Sequence, residues 1–280
     1  MTGSSLAIDI SKVDDKTRTT ARDCIAVEEP LEIQLSSATA SGSAAKSISI
    51  TMRTPGDDGE LALGFLLTEG IIRSADQVAS VTHTGPDDED GLQNTIRVEL
   101  QADVDVALDK LERHFYTTSS CGVCGKASLD ALHVSGQESL GQHTTTFPRD
   151  VIIALPDRVR LLQPLFSATG GLHAAAIFTA DGEIVIVKED VGRHNATDKV
   201  IGALLISGRL PGNKFGLLVS GRASFELMQK ALVAGIPFLA AVGAPSSLAV
   251  QTARKFDMTL VGFLRDSTFN IYAGAARIGN

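Results

Sequence analysis

The sequence predicts an α/β fold, α+β overall, in which a three-layer α/β/α C-terminal domain follows a smaller, sheet-rich N-terminal domain. Between residues 184 and 264, short and continuous apolar runs alternate with helical stretches of about ten residues. That alternation indicates right-handed βαβ units and a parallel sheet, and continuous apolar strands are typical of a sheet covered by helices on both faces. In the first third, apolar and polar residues alternate instead, as in Ile48, Ile50 and Met52, which indicates half-buried strands.

Composition excludes several classes of protein. A chain of 280 residues with 44% hydrophobic residues is large and apolar enough to form a core. The net charge of −8 and the lack of a basic run disfavour nucleic acids and anionic membranes as partners. The polar N-terminus lacks the apolar core of a signal peptide, and no run of about 18 apolar residues exists. With three cysteines, too few for a disulfide scaffold, the sequence predicts a cytoplasmic protein with reduced thiols.

Four segments follow from this patterning. We expect a flexible tail over residues 1–24 and the N-terminal mixed domain over 25–111. A connection over 112–146 holds a pair of cysteines, and the α/β domain follows over 147–280. No fixed-period repeat is present.

The N-terminal domain has one clear helix. A turn cluster over 54–60 leads into a helix over 61–68, which Gly70 ends, and Asp57 and Asp58 suit the positive end of that helix. Strands are predicted over 47–52, 78–84 and 94–100.

In the C-terminal domain, Asn195 is placed to cap a helix over 196–205, with Asp198 at the capping-box position. The other predicted helices cover 224–233 and 247–255, and the predicted strands cover 184–187, 215–219, 238–242 and 259–264.

The two cysteines Cys121 and Cys124 lie two residues apart in a stretch rich in glycine and serine, residues 119–126. A structural zinc site needs four ligands, and only Cys24 and scattered histidines remain. A thioredoxin-like dithiol is disfavoured because that fold places the pair where a strand opens a helix, and because no tryptophan lies beside it. A buried, inert pair is disfavoured because glycine and serine make a poor core.

Sulfur carriage is the use that this setting favours. A thiolate attacks a sulfur donor, becomes a persulfide and then passes the terminal sulfur to an acceptor. Lys126 favours the thiolate, and a neighbouring cysteine can relay the sulfur or resolve the persulfide. We assign the carrier role to Cys121 and the assisting role to Cys124, although the motif alone does not fix that order.

A second dense motif, residues 188–195, lies where a strand gives way to a helix, which is where open α/β sheets bind ligands. Arg193 and His194 would face the positive end of the helix, so an anion is the expected ligand. The alternative is a solvated loop with a capping asparagine. Thr169–His173 is a weaker motif. Its two glycines would suit either a close approach of the backbone to another group or an ordinary turn, and His173 could be a core histidine.

Two more strand-to-helix turns offer hydroxyls and free amides: Ser220, Gly221 and Arg222 in one, and residues 244–247 in the other. Their serines could simply cap helices. Because three such turns would share one edge of a parallel sheet, they predict a pocket for a phosphorylated ligand. Beyond Gly262, Phe263 could stack on a base and Arg265 could pair with phosphate, or Phe263 could belong to the core.

Together these motifs resemble the FdhD family, over about residues 29–272. The resemblance rests on their order and number: residues 53–58, 61–70, 119–126, 169–173, 189–199, 220–222 and 260–265.

The resemblance implies that Cys121 accepts persulfide sulfur from a cysteine desulfurase and that the sulfur passes to a molybdenum (or tungsten) bis(molybdopterin guanine dinucleotide) cofactor. The cofactor is a bound substrate that is then inserted into apo formate dehydrogenase, and the protein has no catalytic metal of its own. Guanine nucleotides such as GDP are expected to fit the same site. The resemblance further implies a cytidine-deaminase-like second domain and a homodimer. The family's cofactor segment falls on Phe263, Leu264, Arg265, Asp266, Ser267 and Thr268.

Two other functions are alternatives to sulfur transfer. A zinc deaminase needs His-x-Glu and Pro-Cys-x-x-Cys, but Ser120 precedes Cys121 and no His-x-Glu occurs. A chaperone that binds cofactor and apo-enzyme without sulfur chemistry would, by contrast, tolerate loss of Cys121.

Overall fold

The computed structural model describes residues 3–37, 45–86, 91–104 and 138–280. The cysteine motif over 119–126, with Cys121, Cys124 and Lys126, lies outside the described residues. No helix within the described ranges is both long and apolar enough to cross a membrane.

The chain begins with an antiparallel hairpin where the sequence predicted a flexible tail. Strands β1 (Ser5–Val13) and β2 (Arg18–Ala26) pair over their whole length, and the Asp14 carboxylate closes the turn by accepting from the Lys16 and Thr17 N–H groups. The tail prediction was therefore wrong. Most hairpin side chains are exposed, so the hydrophobic signal was weak, although Leu6, Ile8 and Ile10 alternate as a strand should.

The N-terminal sheet has four strands in the order β4-β3-β6-β5. Their bounds are β3 Glu29–Ser37, β4 Lys46–Arg53, β5 Val78–His83 and β6 Thr95–Leu100, with helix α1 over Asp58–Thr68 and a short 3-10 helix over Ala75–Gln77. Strands β3 and β6 are parallel, and the other pairs are antiparallel. The three predicted strands and the predicted helix are confirmed, and Gly70 ends the helical segment in a left-handed conformation (φ 71°).

The C-terminal part is built on a six-stranded sheet in the order β13-β12-β11-β10-β8-β9. Its strands are β8 His173–Phe178, β9 Ile184–Asp190, β10 Gly216–Val219, β11 Phe238–Ala241, β12 Thr259–Arg265 and β13 Thr268–Ala273. The helices are α2 Arg149–Arg160, α3 Pro164–Thr169, α4 Arg193–Ile206, α5 Phe225–Val233 and α6 Ser247–Lys255. Strand β7 (Phe147–Pro148) pairs with β14 (Ile278–Gly279), next to a 3-10 turn over Ala275–Arg277.

Strands β9, β10, β11 and β12 run in the same direction, as predicted, but β8 and β13 run antiparallel to their neighbours. The predicted parallel sheet is therefore mixed. Strands β8 and β9 form a hairpin around Gly182, and β12 and β13 are joined by Asp266 and Ser267 alone. Connections this short join antiparallel strands, because a parallel crossover needs a dozen residues or more.

Helices cover both faces of this sheet. Successive strand residues point to opposite faces. Ala176 and Phe178 pack with Ile152 and Leu155 of α2, whereas Ala175 and Ile177 belong to the core formed with α4, α5 and α6. Helices therefore lie on both faces of the sheet around β8–β12, in a mixed α/β structure.

Helices α1 and α4 join the two halves backbone to backbone. A Cβ added at Gly64 would overlap the carbonyl oxygen of Asp198, and one added at Gly202 would overlap that of Glu60. One continuous core includes Leu61 and Leu66 of α1 as well as Val200 and Leu204 of α4. The regions predicted as two domains therefore share their main core.

We expect Gly64→Ala to destabilise the protein by more than about 2 kcal/mol, because its new methyl group must push two helices apart. Gly59→Ala in the same helix is the control, since its Cβ would meet only Val81 Cγ1 at 3.7 Å and should be neutral or stabilising by up to about 1 kcal/mol. Urea denaturation monitored by circular dichroism measures both. Equal effects would contradict the close helix contact.

Candidate functional site

The three predicted turns do meet at one edge of the six-stranded sheet. Strand β8 is antiparallel to both β9 and β10, so the carboxyl ends of β9–β12 all lie on the same side. The second and third turns and strand β12 are hydrogen-bonded in series: the Gly243 N–H donates to the Gly221 carbonyl (2.9 Å), and the Phe263 N–H donates to the Gly243 carbonyl (3.0 Å). We call this region, formed by residues 190–195, 220–224, 243–247 and 262, the carboxyl edge.

Two of the helices that start there are capped by serines, as the sequence allowed. Ser224 Oγ accepts from the Leu227 N–H at the start of α5, and Ser246 Oγ accepts from the Ala249 N–H at the start of α6. These caps satisfy one amide each and leave other N–H groups of the first turns available.

The predicted cap of α4 is wrong. The helix begins at Arg193, with Gly192 as its N-cap and no side-chain cap. Asn195 instead donates to the Met52 carbonyl (2.7 Å) and to Asp190 Oδ1 (2.9 Å). Asp198 is likewise no capping residue, because its carboxylate accepts from Lys230 Nζ at 2.8 Å and from Thr68 Oγ1 at 3.0 Å. Asn195 is thus hydrogen-bonded to the N-terminal half of the chain, and Asp198 to both that half and α5. The local sequence does not reveal these partners.

His173, Arg193 and Gly221 are immediate neighbours. A Cβ at Gly221 would lie 3.5 Å from both Arg193 Cδ and the His173 ring, so glycine allows the turn to approach these side chains closely. His173 Nδ1 lies 3.4 Å from Ser220 Oγ, which accepts from the Ala174 N–H. Burial, followed by the charges of Arg193 and His194, lowers the pKa of His173, so its imidazole is neutral at pH 7.

His194 is paired with a carboxylate that the sequence did not indicate. Its Nε2 lies 2.7 Å from Glu226 Oε2 and 3.3 Å from Ser224 Oγ. Burial alone would raise the pKa of Glu226, but the hydrogen bond and charge of His194, with the charges of Lys230 and Arg193, bring that pKa below its ordinary value. Glu226 is therefore ionised. The only sequence signal was an acidic residue in the first turn of α5, which says nothing of His194.

The carboxyl edge rests on a buried ion pair. Lys199 Nζ lies 2.8 Å from Asp190 Oδ2, and both residues are almost fully buried. Lys199 also donates to the Thr54 carbonyl (2.9 Å), and Asp190 accepts from the Thr54 N–H (3.2 Å). The turn motif of the N-terminal half thus fixes the point where β9 becomes α4.

That same turn motif holds a second buried pair. Asp58 accepts from Arg53 Nε (3.0 Å) and Nη2 (2.9 Å), and His83 Nε2 lies 3.0 Å from the same carboxylate. Burial alone would raise the pKa of Asp58, but the hydrogen bonds and charge of Arg53, with those of His83, hold it below its ordinary value.

The segment Gly262–Thr268 extends the carboxyl edge into the β12–β13 turn. Phe263, Asp266 and Ser267 all have positive φ, between 52° and 59°. Left-handed backbone at residues with a side chain costs free energy and is concentrated at functional sites. Among the predicted cofactor-binding residues, Leu264 is 1% exposed and its side chain packs in the core, so this side chain is not placed to contact a ligand.

Of the other predicted residues of this segment, Gly262 is buried, Phe263 is half-buried, and Arg265, Asp266, Ser267 and Thr268 are exposed. Arg265 is exposed, with its Cζ 5.7 Å from the centre of the half-buried Phe263 ring. Ser267 and Thr268 line a cavity of about 450 Å³ together with Arg149 and Ile153. Arg222 is exposed beside Gly243. All cofactor-binding candidates except Leu264 thus lie at the carboxyl edge or in the turn that continues it.

The candidate catalytic residues Cys121 and Cys124 lie outside the part of the chain that the structure describes. Of the three cysteines, only Cys24 is within it, half-buried on β2. Across the described ranges, no group of three His, Cys, Asp or Glu side chains is placed to hold a metal ion.

Comparison with known proteins gives consistent matches over nearly the whole chain. A family model described as the FdhD/NarQ family matches residues 26–279. The chain is 48% identical over 272 residues to a protein named sulfur carrier protein FdhD from Streptomyces avermitilis, covering 96% of this chain and 94% of that one. A protein of the same name from Mycolicibacterium paratuberculosis is 51% identical over 259 residues, 92% of each chain.

A solved structure shares the fold. It is a crystal structure of a protein proposed to be a formate dehydrogenase accessory protein, from Desulfotalea psychrophila. The TM-score is 0.74, with 24% sequence identity, and the match covers 98% of this chain and 99% of that one. At 24% sequence identity, this similarity supports a shared fold and nothing more.

For the Asp58 pair we expect an acid-sensitive contribution to stability. A carboxylate whose pKa falls on folding stabilises the protein above its unfolded-state pKa, and the contribution is lost as pH falls through its folded-state pKa. At pH 7 the wild type should have a higher free energy of unfolding than Asp58→Asn, by the whole contribution of the ionised carboxylate. This difference should shrink below about pH 4. Urea denaturation between pH 7 and pH 3 measures it.

The control for that experiment is Asp76→Asn, which removes an exposed carboxylate in the same half of the chain. It should change the free energy of unfolding by no more than about 0.5 kcal/mol at any pH. A pH-independent cost of Asp58→Asn would show that the ionised carboxylate is not what stabilises the turn.

Proposed function

Because this chain belongs to the FdhD/NarQ family, we propose that it is a sulfur carrier that serves formate dehydrogenase. It takes persulfide sulfur from a cysteine desulfurase and transfers it to the molybdenum (or tungsten) bis(molybdopterin guanine dinucleotide) cofactor before the cofactor is inserted into the enzyme. The observation that carries this proposal is the 48–51% identity, over more than nine-tenths of the chain, to proteins named sulfur carrier protein FdhD. Cytoplasmic location, a homodimer and a cytidine-deaminase-like layout of the second domain belong to the same proposal.

The sulfur-carrying step is assigned to Cys121. Its thiolate attacks the terminal sulfur of the desulfurase persulfide, which releases the desulfurase thiolate and leaves a persulfide on Cys121. Atoms and electrons balance, since one S–S bond is broken and one is formed. Cys124 relays the sulfur or resolves the persulfide, and Lys126 favours the thiolate.

The acceptor is proposed to bind at the carboxyl edge as a substrate. Arg193 and His194 lie in the first turn of α4, and Arg222 lies in the turn that precedes α5, so backbone amides and cations that suit a diphosphate lie along this edge. Gly221 allows a close backbone approach. Phe263 offers a face on which a guanine can stack, and Arg265 lies beside it for a phosphate.

A test of the carrier role is the persulfide itself. After incubation with a cysteine desulfurase and cysteine, intact-protein mass spectrometry should show an added mass of about 32 Da for one sulfur atom. Cys121→Ala should abolish the adduct, whereas Cys24→Ala, in the exposed hairpin, should keep it. An adduct that survives Cys121→Ala contradicts the assignment. A Cys121→Ala variant that still supports formate dehydrogenase maturation would favour the chaperone function instead.

The acceptor pocket has its own test. GDP at about 100 times its dissociation constant should stabilise the protein by about 2.7 kcal/mol and raise Tm by roughly 5 °C in differential scanning fluorimetry. Arg193→Ala should remove most of this shift because it deletes a phosphate contact at the start of α4. Arg209→Ala, an exposed arginine just beyond the other end of α4, is the matched control and should keep it. No shift in the wild-type protein contradicts the pocket.

A further inference from the structure

We propose that the cavity beside the β12–β13 turn is a subsite for the pterin part of the cofactor, and that Arg149 at the start of α2 binds the pterin there. The inference rests on the proposed function, because it concerns the same acceptor. It assigns a ring-binding role to residues of α2, β13 and β14 that neither the motifs nor the family resemblance included. Only Ser267 and Thr268 belong to both.

The cavity combines an apolar lining with hydrogen-bonding groups. Its volume of about 450 Å³ lies within the range of about 300–1,000 Å³ that is typical of small-molecule sites. Four side chains form the apolar part of the lining: Ile153 of α2, Phe269 and Ile271 of β13, and Ile278 of β14. Arg149, Ser267 and Thr268 supply the polar groups. Such a lining suits a heterocycle, which has apolar faces and polar atoms at its rim.

The polar groups of the cavity match the pyrimidine half of a pterin. That half carries a carbonyl oxygen, which accepts hydrogen bonds, and an amino group, which donates them. The Arg149 guanidinium can only donate and the Ser267 hydroxyl can accept, so the two side chains complement the two ring substituents. Arg149 is exposed, and its guanidinium forms no ion pair or hydrogen bond within the ranges that the structure describes. Its donors are therefore available to a ligand.

The backbone of the turn holds Ser267 in the cavity lining at a cost. Asp266 and Ser267 are the two residues that join β12 to β13, and both have positive φ, 52° and 59°. Two-residue hairpin turns of this kind favour glycine at the second position, because a Cβ is strained there. A serine hydroxyl at a position where glycine would be easier, facing a cavity, is what a binding role predicts.

The cavity lies within reach of the surface proposed for guanine. Ser267 follows Phe263 by four residues, so their Cα atoms are at most about 14 Å apart. In the cofactor, a ribose and a diphosphate separate the guanine from the pterin, so one molecule can extend from Phe263 to the cavity. Guanine and pterin share the same pyrimidine half. The experiment must therefore distinguish these two rings.

Pterin fluorescence provides the measurement. The chain has no tryptophan and two tyrosines, so the emission of free pterin can be followed as protein is added. The titration is made without GDP and again with GDP at a concentration that saturates its effect on Tm. We expect pterin to bind in both cases, because the two rings use separate subsites. Displacement of pterin by GDP would show that the cavity takes guanine, and would overturn the inference.

Arg149→Gln tests the assigned residue. It removes hydrogen bonds from a charged donor, so the dissociation constant for pterin should rise about tenfold or more. The GDP-induced rise in Tm should remain, which also shows that the variant is folded. Arg73→Gln is the matched control, because Arg73 is an exposed arginine in the N-terminal half, and it should change neither result. Unchanged pterin binding in Arg149→Gln would overturn the inference.

Ser267→Gly separates binding from structural support. Glycine adopts positive φ without strain, so Tm should stay the same or rise, whereas loss of the hydroxyl should weaken pterin binding by about fivefold. A residue that only supported the turn would show the opposite pattern, a lower Tm with pterin binding unchanged, and that result would contradict the inference.

The failures of the inference and of the proposed function are distinguishable. If the wild type gives a GDP-induced rise in Tm but does not bind pterin, the inference is overturned and the pocket at the carboxyl edge stands. If it binds pterin in an Arg149-dependent way but gives no GDP-induced rise, the inference is supported and the guanine pocket is contradicted. Binding of neither contradicts both.

Discussion

The backbone contact between α1 and α4 is the constraint on which the rest of the molecule depends. Gly64 and Gly202 let the two helices touch through their main chains, and any side chain at either position would separate them. Because α4 begins at Arg193, the position of this crossing also sets where Arg193 and His194 stand. The Thr54–Asp190–Lys199 hydrogen bonds then lock the start of α4 to the turn that precedes α1.

Much of this arrangement could be predicted from local pattern. Continuous apolar strands followed by short helices placed three turns on one sheet edge. In the structure, backbone hydrogen bonds join the second and third turns, and His194 Nε2 of the first turn lies 3.3 Å from Ser224 Oγ of the second. Ser224 and Ser246 cap their helices as their positions suggested. These features depend on residues close together in the chain, which is why periodicity and capping rules find them.

The features that sequence missed depend on distant partners. Asn195 looked like a cap, but its amide reaches Met52 in the other half of the chain, and the helix starts earlier. Glu226 belongs to the site only because α5 packs beside His194. Leu264 sits within a family motif, yet its side chain packs in the same core as Val261, because β12 is irregular between Gly262 and Arg265 and the alternation of its side chains is interrupted there. The β1–β2 hairpin was read as a tail because its strands bury little apolar surface.

A protein with a net charge of −8 needs local means to hold a phosphorylated substrate. The carboxyl edge concentrates Arg193, Arg222 and helix N-termini within a small region, and charges farther away than about 10 Å are largely screened by salt. Overall acidity is therefore compatible with the proposed anion site.

Because Phe263 has a left-handed backbone conformation, selection for stability and selection for function should favour different residues at this position. Glycine would adopt φ 54° without the penalty of roughly 1–2 kcal/mol that a residue with a Cβ incurs. A library screened for thermal resistance alone should therefore drift toward glycine at this position, whereas one screened for cofactor maturation should keep an aromatic ring. The residue recovered at position 263 would report which property each screen had rewarded.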